Sequence, residues 1–324
     1  MKALIVSDFK SPPRWSDFAE PSADTGERLI RVTAAGLSNL ARIQASGVHY
    51  ASPKEVPFVA GIDGVGRLDD GSRVYFFAGR RPFGAFAERC VAPADLCVPV
   101  PDDLDDVTAA ALANPAMSSW AALVQRAGLR AGETVLINGA TGASGRLAVT
   151  IARHLGAGRV IVTGRDAAAL DLLLGLGADE AISLTQEPDA LAASLERVIE
   201  RDRVTVVLDY VWGASASLIL GAVERLGRRH AAGQDPIRFV QIGSISGQTI
   251  MLPAAVLRST TLELMGSGLG SVPDRDLVAD IGEALKVATK LGLTVDVSPV
   301  PMADGEEAWT RGGSGRERVV FTLS

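Results

Sequence analysis

The chain has few cysteines for its length. Only Cys90 and Cys97 occur among 324 residues, with no Cys-x-x-Cys spacing and no cysteine-rich framework. A secreted disulfide scaffold needs paired cysteines at regular spacings, so the sequence argues against one. We therefore expect a reduced intracellular setting in which both cysteines are buried as small hydrophobic residues.

Strong positive charge and long hydrophobic runs are missing as well. The formal net charge is -6, and no long basic run occurs, whereas proteins that bind nucleic acids usually carry clustered lysine and arginine. No segment approaches the roughly 20 apolar residues of a membrane helix, and the apolar run 1–7 is too short for a signal sequence. We expect a cytoplasmic protein that binds a small molecule, and neither nucleic acid nor membrane.

The hydrophobic pattern changes near residue 115. With 47% apolar residues, the chain can bury two domain-sized cores. Before residue 115, runs such as 28–33, 72–77 and 85–91 predict β-strands between glycine and proline breaks. From residue 134 onward strands and helices alternate, which predicts an α/β, doubly wound parallel sheet with six strands: 134–138, 159–163, 180–184, 204–209, 239–243 and 262–265.

The last part of the chain does not continue this alternation. A helix at 276–291 leads to two strands, 294–300 and 318–323, with no helix between them long enough for another crossover. We expect this segment to return to the first domain. The predicted domains are therefore a β-rich domain at 1–114 and 267–324 and a dinucleotide-binding domain at 115–266.

The segment 134–145 is the most informative in the chain, since it is an apolar strand, a glycine-rich turn and the start of an amphipathic helix. Three glycines occupy positions where a turn must be tight, where a pyrophosphate approaches the backbone and where helix packs on strand. The unpaired N–H groups of the helix start then face the phosphates. The predicted cofactor contacts in this turn are Gly139, Thr141, Gly142, Ala143, Ser144 and Gly145.

Two other interpretations of the glycine turn fail on local sequence. A nucleoside-triphosphate loop needs Gly-Lys-Ser/Thr at its end, but Arg146 follows Gly145 here. The short-chain dehydrogenases pair a glycine turn with Tyr-x-x-x-Lys. The match at Tyr50 to Lys54 lies upstream of the turn and contains Pro53, which interrupts a helix.

The end of the second strand favours NADP over NAD. An NAD site needs a carboxylate there, and an NADP site needs a cation and room for the 2′-phosphate. Gly164 stands where the acidic side chain is expected, and Arg165 can bind a phosphate. The alternative is that Arg165 is merely solvated and Asp166 caps the following helix. Ser183, at the end of the third strand, is a further candidate contact.

The order of these motifs resembles the medium-chain dehydrogenase/reductase superfamily, and most of all its zinc-free quinone oxidoreductase branch. The motifs that carry the resemblance are 57–66 (PFVAGIDGVG), 84–88 (GAFAE), the glycine turn and 242–247 (IGSISG). The resemblance spans nearly the whole chain. It implies a Rossmann domain together with a β-rich, GroES-like substrate domain.

The resemblance also implies a metal-free site. Zinc-dependent members have a cysteine and a His-Glu pair at places that here hold Ser38 and Ile62-Asp63. A catalytic zinc needs three protein ligands, and three scattered histidines do not supply them. Zinc-free relatives reduce quinones or conjugated carbonyls with NADPH. Such acceptors spread charge onto oxygen as hydride arrives, so they have less need of a Lewis acid.

Further site residues follow from the resemblance alone. Asn39, Tyr50 and Ser118 are implied to line the substrate space as candidate catalytic residues, with Tyr50 either donating a proton or only packing at a loop edge. Arg311 is implied to supply a second cation to the cofactor, and a homodimer is expected through 261–266. Contacts near the nicotinamide are implied at two strand ends, by Asp209, Gly243, Ser244 and Ile245. Trp212 either packs there or narrows the pocket.

Two alternative functions stay open at this point. One is a reductase of alkenals or enoyl thioesters, for which the pair Arg80-Arg81 offers the only basic feature near the expected substrate space. The other is a redox sensor that binds NADPH without turnover, since a fold does not by itself imply catalysis.

Overall fold

A computed structural model describes residues 1–48, 52–77, 79–229, 235–311 and 317–323. The chain divides into two compact units. Unit 1 comprises Met1–Met117 and Asp274–Ser324, and unit 2 comprises Ser118–Pro273.

Sixteen strands occur within the described residues. In chain order they are β1 (Lys2–Val6), β2 (Arg14–Asp17), β3 (Glu27–Gly36), β4 (Phe58–Val59), β5 (Asp63–Arg67), β6 (Arg73–Phe77), β7 (Arg89–Pro93), β8 (Cys97–Pro99), β9 (Thr134–Asn138), β10 (Arg159–Gly164), β11 (Glu180–Ser183), β12 (Val204–Asp209), β13 (Ile237–Gln241), β14 (Leu262–Gly266), β15 (Val297–Pro301) and β16 (Arg318–Thr322).

Nine α-helices lie in the same described ranges. They are α1 (Asn39–Ala45), α2 (Asp106–Ala121), α3 (Ala143–His154), α4 (Ala167–Gly175), α5 (Pro188–Arg201), α6 (Gly213–Arg229), α7 (Ala254–Arg258), α8 (Asp274–Leu291) and α9 (Gly305–Arg311). A π-helical turn at Ala122–Arg126 extends α2, and short 3-10 turns lie at Ala94–Leu96 and Met302–Asp304.

Unit 2 is built on one parallel sheet of six strands, in the order β11-β10-β9-β12-β13-β14. Every neighbouring pair runs parallel. In the sequence order of these strands this is 3-2-1-4-5-6, the order of dinucleotide-binding folds, so the predicted doubly wound sheet is confirmed. The strand order reverses between β9 and β12, and such folds bind ligands at the carboxyl ends of the strands at this point.

The core of unit 2 explains why these segments form their elements. Strands buried on both faces are nearly all apolar, as in β9 and β10. The amphipathic helices α5 and α6 turn one apolar face each to the sheet, with Leu195 and Ile219 fully buried.

Unit 1 contains two sheets. A three-stranded antiparallel sheet has the order β2-β1-β4, and a seven-stranded sheet has the order β15-β16-β3-β5-β6-β8, with β7 also paired to β3. Strands β15 and β16 run parallel to each other, and β16 pairs antiparallel with β3. The C-terminal segment thus completes the sheet that the N-terminal residues begin.

Two predicted strands start three or four residues later than expected. The segment predicted at 85–91 enters the sheet only at Arg89, because its first residues bond elsewhere: the Phe86 N–H donates to the Ala60 carbonyl at 2.9 Å. The strand predicted from residue 294 begins at Val297. The alternation of apolar residues marks extended chain but does not show which partner it bonds.

One helix is more apolar than expected from the sequence. The helix over 106–126 is long and apolar enough to cross a membrane by length and composition alone. In its most apolar window, 67% of the residues are buried inside the protein. Its apolar residues, Leu112 and Leu123 among them, therefore pack against other parts of the protein.

Candidate functional site

The glycine turn joins β9 to α3, and each of its glycines has a different surrounding. Gly139 has φ +80°, and a Cβ there would lie 2.4 Å from Val211 Cγ1. A Cβ on Gly145 would lie 2.5 Å from Ala140 Cα, so only glycine lets the helix pack this closely on the turn. Gly142 is exposed, and a Cβ there would meet no atom within 4 Å. The space above Gly142 is therefore open to a ligand.

The N-terminus of α3 carries unbalanced positive charge. Gly142 is the N-cap residue and provides no side chain to accept from the first N–H groups, and the first turn contains no acidic residue. The first N–H groups of a helix have no partner within it, and the helix dipole adds positive charge there. A twelve-residue helix that starts in this way at a sheet's switch point is suited to bind a phosphate.

A buried polar network lies beneath the turn. The Gly139 N–H donates to Thr163 Oγ1 at 3.0 Å, and the Thr163 hydroxyl donates to Asn138 Oδ1 at 2.7 Å. Asn138 Nδ2 in turn donates to Asp209 Oδ1 at 2.8 Å. The side chains of Asn138, Thr163 and Asp209 thus tie together the ends of β9, β10 and β12. Asn138 and Thr163 are not among the residues predicted from the sequence, since their only signal is a polar residue at the end of an apolar strand.

Asp209 also shapes the turn that follows β12. Its Oδ1 accepts the N–H of Val211 at 3.2 Å and that of Trp212 at 3.1 Å. Burial raises the pKa of Asp209, while hydrogen bonds from the Trp212 and Val211 N–H groups and from Asn138 lower it. The Asp209 side chain is fully buried, so its observed role is to hold this turn and not to present a charge to solvent.

The loop after β13 packs against the same turn. A Cβ on Gly243 would lie 2.3 Å from the Tyr210 carbonyl oxygen, which explains the glycine. The side chain of Ser244 accepts from Gln248 Nε2 at 3.1 Å, and Ile245 is 82% exposed. A cleft of about 450 Å³ opens here, lined mainly by Trp212, Gln241, Ser244, Gln248, Leu264 and Met265.

The ends of β10 and β11 bring the predicted phosphate-binding residues together. Gly164 lies directly opposite Ser183 in the parallel register. Asp166 accepts the Ala169 N–H at 3.1 Å as the N-cap of α4, so its carboxylate is engaged. Arg165 is exposed and makes no hydrogen bond or ion pair with another described residue. Gly164 has a packing reason that the sequence did not show, since a Cβ there would lie 2.4 Å from Thr141 Cγ2.

Ser118 lies within unit 2, near the end of α2. It and Ser119 hydrogen-bond to the phenol of Tyr210, and the Ser119–Tyr210 oxygen distance is 2.9 Å. Burial raises the pKa of Tyr210 to about 12, although both serine hydroxyls lower it. Tyr210 is therefore a neutral hydrogen-bonding group at ordinary pH. The catalytic role predicted for Ser118 stays a prediction.

The remaining predicted residues lie in unit 1. Asn39 is the exposed first residue of α1, and Ser38 caps that helix by accepting the Ala41 N–H at 3.0 Å. Arg311 is exposed at the end of α9 and pairs with Glu307. Tyr50 lies outside the described residues. The roles predicted for Asn39, Tyr50 and Arg311 therefore stay predictions.

Asp63 is a buried carboxyl group at the start of β5 in unit 1. Its Oδ2 accepts from the Tyr75 hydroxyl at 3.1 Å, while Oδ1 is buried with no hydrogen-bond partner in the described ranges. Burial raises the pKa of Asp63 to about 6, although the charge of Arg318 and the Tyr75 hydrogen bond lower it. In the residues that the structure describes, no group of three or more His, Cys, Asp or Glu side chains is placed to hold a metal.

Comparison with known proteins supports one family. The model of the zinc-binding dehydrogenase family matches residues 143–290. A probable NADPH-dependent quinone reductase of Emericella nidulans is 28% identical, and the match covers 99% of both chains. A 2-methylene-furan-3-one reductase of Solanum lycopersicum is 29% identical over 71% of this chain and 64% of its own.

Solved structures agree with this result. The quinone oxidoreductase of Thermus thermophilus, whose structure was also solved with NADPH, is 27% identical and matches over the full length of both chains with a TM-score of 0.77. The matched proteins are all reductases or oxidoreductases, as the strand order of unit 2 and the glycine turn lead us to expect. These findings support the resemblance to the quinone oxidoreductase branch of the medium-chain dehydrogenase/reductase superfamily.

Proposed function

We propose that the protein is an NADPH-dependent reductase that transfers hydride to a quinone or another conjugated carbonyl without a metal. The observation that carries this proposal is the open space above Gly142 at an uncapped helix N-terminus. The names of the relatives in Emericella nidulans and Thermus thermophilus support the choice of cofactor and acceptor.

The described residues of unit 2 fit a dinucleotide. The N–H groups of Ala143, Ser144 and Gly145 would hold the pyrophosphate, because no side chain caps them and no acid stands in the first turn. Turns at the ends of β12 and β13 would orient the nicotinamide half. When bound, the reduced nicotinamide supplies the hydride, and the buried network of Asn138, Thr163 and Asp209 keeps the turns around it in place.

The choice of NADP over NAD rests on the end of β10. No carboxylate is available there to bind a ribose hydroxyl, since Gly164 has no side chain and Asp166 caps α4. Arg165 is exposed directly after β10, the strand that pairs with β11, and it has no partner in the described part of the chain. A free guanidinium at this place would bind the 2′-phosphate with charge-assisted hydrogen bonds.

Metal independence rests on the donor set. Ser38, at the place of the family's zinc-binding cysteine, uses its hydroxyl to cap α1. Asp63, at the place of the family's His-Glu pair, is buried in the sheet against Tyr75. A conjugated acceptor delocalises charge as hydride arrives, so it has little need of a Lewis acid. Water or a side chain then supplies the proton that completes the reduction.

A reductase of conjugated alkenes is the second candidate. The observation that favours it is the Solanum lycopersicum relative, whose name describes a ketone conjugated to a methylene group. Both candidates deliver hydride to a conjugated system, so the same site would serve either.

We propose that a second copy of the chain pairs with the edge strand β14. This strand has one neighbour in the sheet, and an open edge is a template for pairing. Large apolar side chains are exposed on the segment that precedes it, with Leu257 at 52% and Met251 at 90%. The cytoplasmic setting is proposed from the two cysteines, which are free.

The activity is tested by following NADPH oxidation with benzoquinone, a small cyclic enone and an alkenal, and NADP⁺ reduction with ethanol. We expect turnover with the conjugated acceptors, poor turnover with the alcohol and no loss after treatment with a strong chelator. Rapid oxidation of the alcohol, or chelator inhibition that zinc alone reverses, would contradict the proposal. Tight NADPH binding with no turnover of any acceptor would favour the sensor.

A further inference from the structure

Two consecutive residues after β12 adopt left-handed backbone conformations. Trp212 has φ 58° and Gly213 has φ 69°. Glycine takes this conformation readily, but a bulky residue in it costs free energy and persists only where its surroundings determine it. Such strain often accompanies functional sites. The backbone conformation at Trp212 is therefore maintained by its surroundings.

Those neighbours are well defined. Both carboxylate oxygens of Asp209 accept the Trp212 N–H, at 3.1 and 3.2 Å. The Ser246 N–H donates to the Val211 carbonyl at 2.9 Å, which joins this turn to the loop after β13. The indole packs edge-on against Phe239, with ring centroids 6.2 Å apart. The turn and the indole ring thus both have defined contacts within unit 2.

The indole is half-buried and lines the cleft of about 450 Å³ at the carboxyl ends of β12, β13 and β14. Arg165 follows β10 and Ser183 ends β11, on the opposite side of β9 in the sheet order. A dinucleotide lies across the switch point with its phosphates at the glycine turn. If Arg165 binds the 2′-phosphate on the adenosine half, the nicotinamide half extends toward the cleft that contains Trp212.

We infer that Trp212 is a specificity-determining residue whose indole forms a wall for the planar nicotinamide ring, and that Asp209 is the positioning residue that holds it. The inference rests on the proposed function. Aromatic rings in edge-on or offset contact attract each other beyond the effect of buried area. The mixed lining of the cleft suits an uncharged ring with an amide group, because Gln241 and Gln248 offer polar contacts beside Leu264 and Met265.

The test compares two probes that differ in the nicotinamide half. NADPH and adenosine 2′,5′-bisphosphate are titrated into the wild type, Trp212→Gly and Trp212→Phe, with calorimetry as the readout. Glycine adopts the left-handed conformation without strain, so Trp212→Gly removes the ring and keeps the turn. We expect a roughly three- to tenfold loss of NADPH affinity in Trp212→Gly, no change for the bisphosphate and recovery of most of the loss in Trp212→Phe.

Asp209→Asn supplies a second variant that acts through the turn. It puts an amide NH₂ among N–H donors. We therefore expect it to lower the affinity for NADPH, as Trp212→Gly does, and to leave the affinity for the bisphosphate unchanged. Equal losses for both probes, or unchanged NADPH affinity in Trp212→Gly, would overturn the inference and leave the proposed cofactor intact. A wild type that binds neither probe would overturn the proposed function and this inference together.

Discussion

Two glycine-rich segments, 61–66 in unit 1 and 139–145 in unit 2, use the same residue for opposite reasons. A Cβ on Gly66 would lie 2.4 Å from the Arg31 carbonyl oxygen and 2.6 Å from Ile30 Cγ2. A Cβ on Gly142 would meet nothing within 4 Å. Glycine at 66 is required by neighbours inside the protein, whereas glycine at 142 leaves space that the protein itself does not use. Because this open position lies at the uncapped start of α3, it leaves room for a ligand beside free N–H groups.

The largest expected effect concerns the carboxyl group of Asp63, which is buried in segment 61–66. The fold raises the pKa of Asp63 from 3.8 to about 6, so the folded state favours the protonated carboxyl. The resulting stabilisation is fully present at pH values below the pKa of Asp63 in the unfolded chain. It is lost as the pH rises through the pKa of Asp63 in the folded protein, by up to about 1.4 kcal/mol per pH unit. Between pH 4 and pH 6 we expect the free energy of unfolding of the wild type to fall relative to Asp63→Asn.

Chemical denaturation at several pH values measures this difference. Asp63→Asn retains an oxygen that can accept the Tyr75 hydroxyl, so it is a matched control for packing. Parallel pH profiles for the two proteins would show that Asp63 is not the group responsible.

The next effect is a difference in the free energy of unfolding between substitutions at Gly66 and at Gly142. Gly66→Ala must displace backbone atoms of β3, and overpacking of this kind typically costs about 1–3 kcal/mol. Gly142→Ala has open space and an ordinary φ of -81°, so it should cost less than about 1 kcal/mol, mostly through the weaker N-cap. Urea titrations of both variants check the ranking. Similar losses in both would remove the distinction on which the comparison rests.

A smaller effect concerns the affinity for the cofactor. Arg165→Ala should lower NADPH affinity roughly 10- to 100-fold and NADH affinity little, since only the 2′-phosphate contact is removed. Arg197→Ala is a matched control, because it removes the same charge from an exposed position on α5 and not from the carboxyl end of a strand. Equal losses for both cofactors in Arg165→Ala would show that Arg165 does not read the phosphate.

The sequence predicted the periodic parts of the fold well. The strands at 134–138 and 204–209 are observed with the predicted bounds, because buried parallel strands form uniform apolar runs. Strand β5 was missed, since Gly64 and Gly66 resemble a turn and their reason lies in distant neighbours. Nothing local indicates that Trp212 adopts a left-handed conformation or that Asn138 joins three strand ends. Those features depend on contacts across the sheet.

The most direct test of the account is a titration of NADPH into the wild type and Gly142→Val, with circular dichroism to compare their folds. A Cβ at position 142 meets no protein atom within 4 Å, so we predict an unchanged fold and an NADPH affinity lowered at least about 100-fold. A folded Gly142→Val protein that binds NADPH as tightly as the wild type would contradict the assignment of the cofactor to this turn.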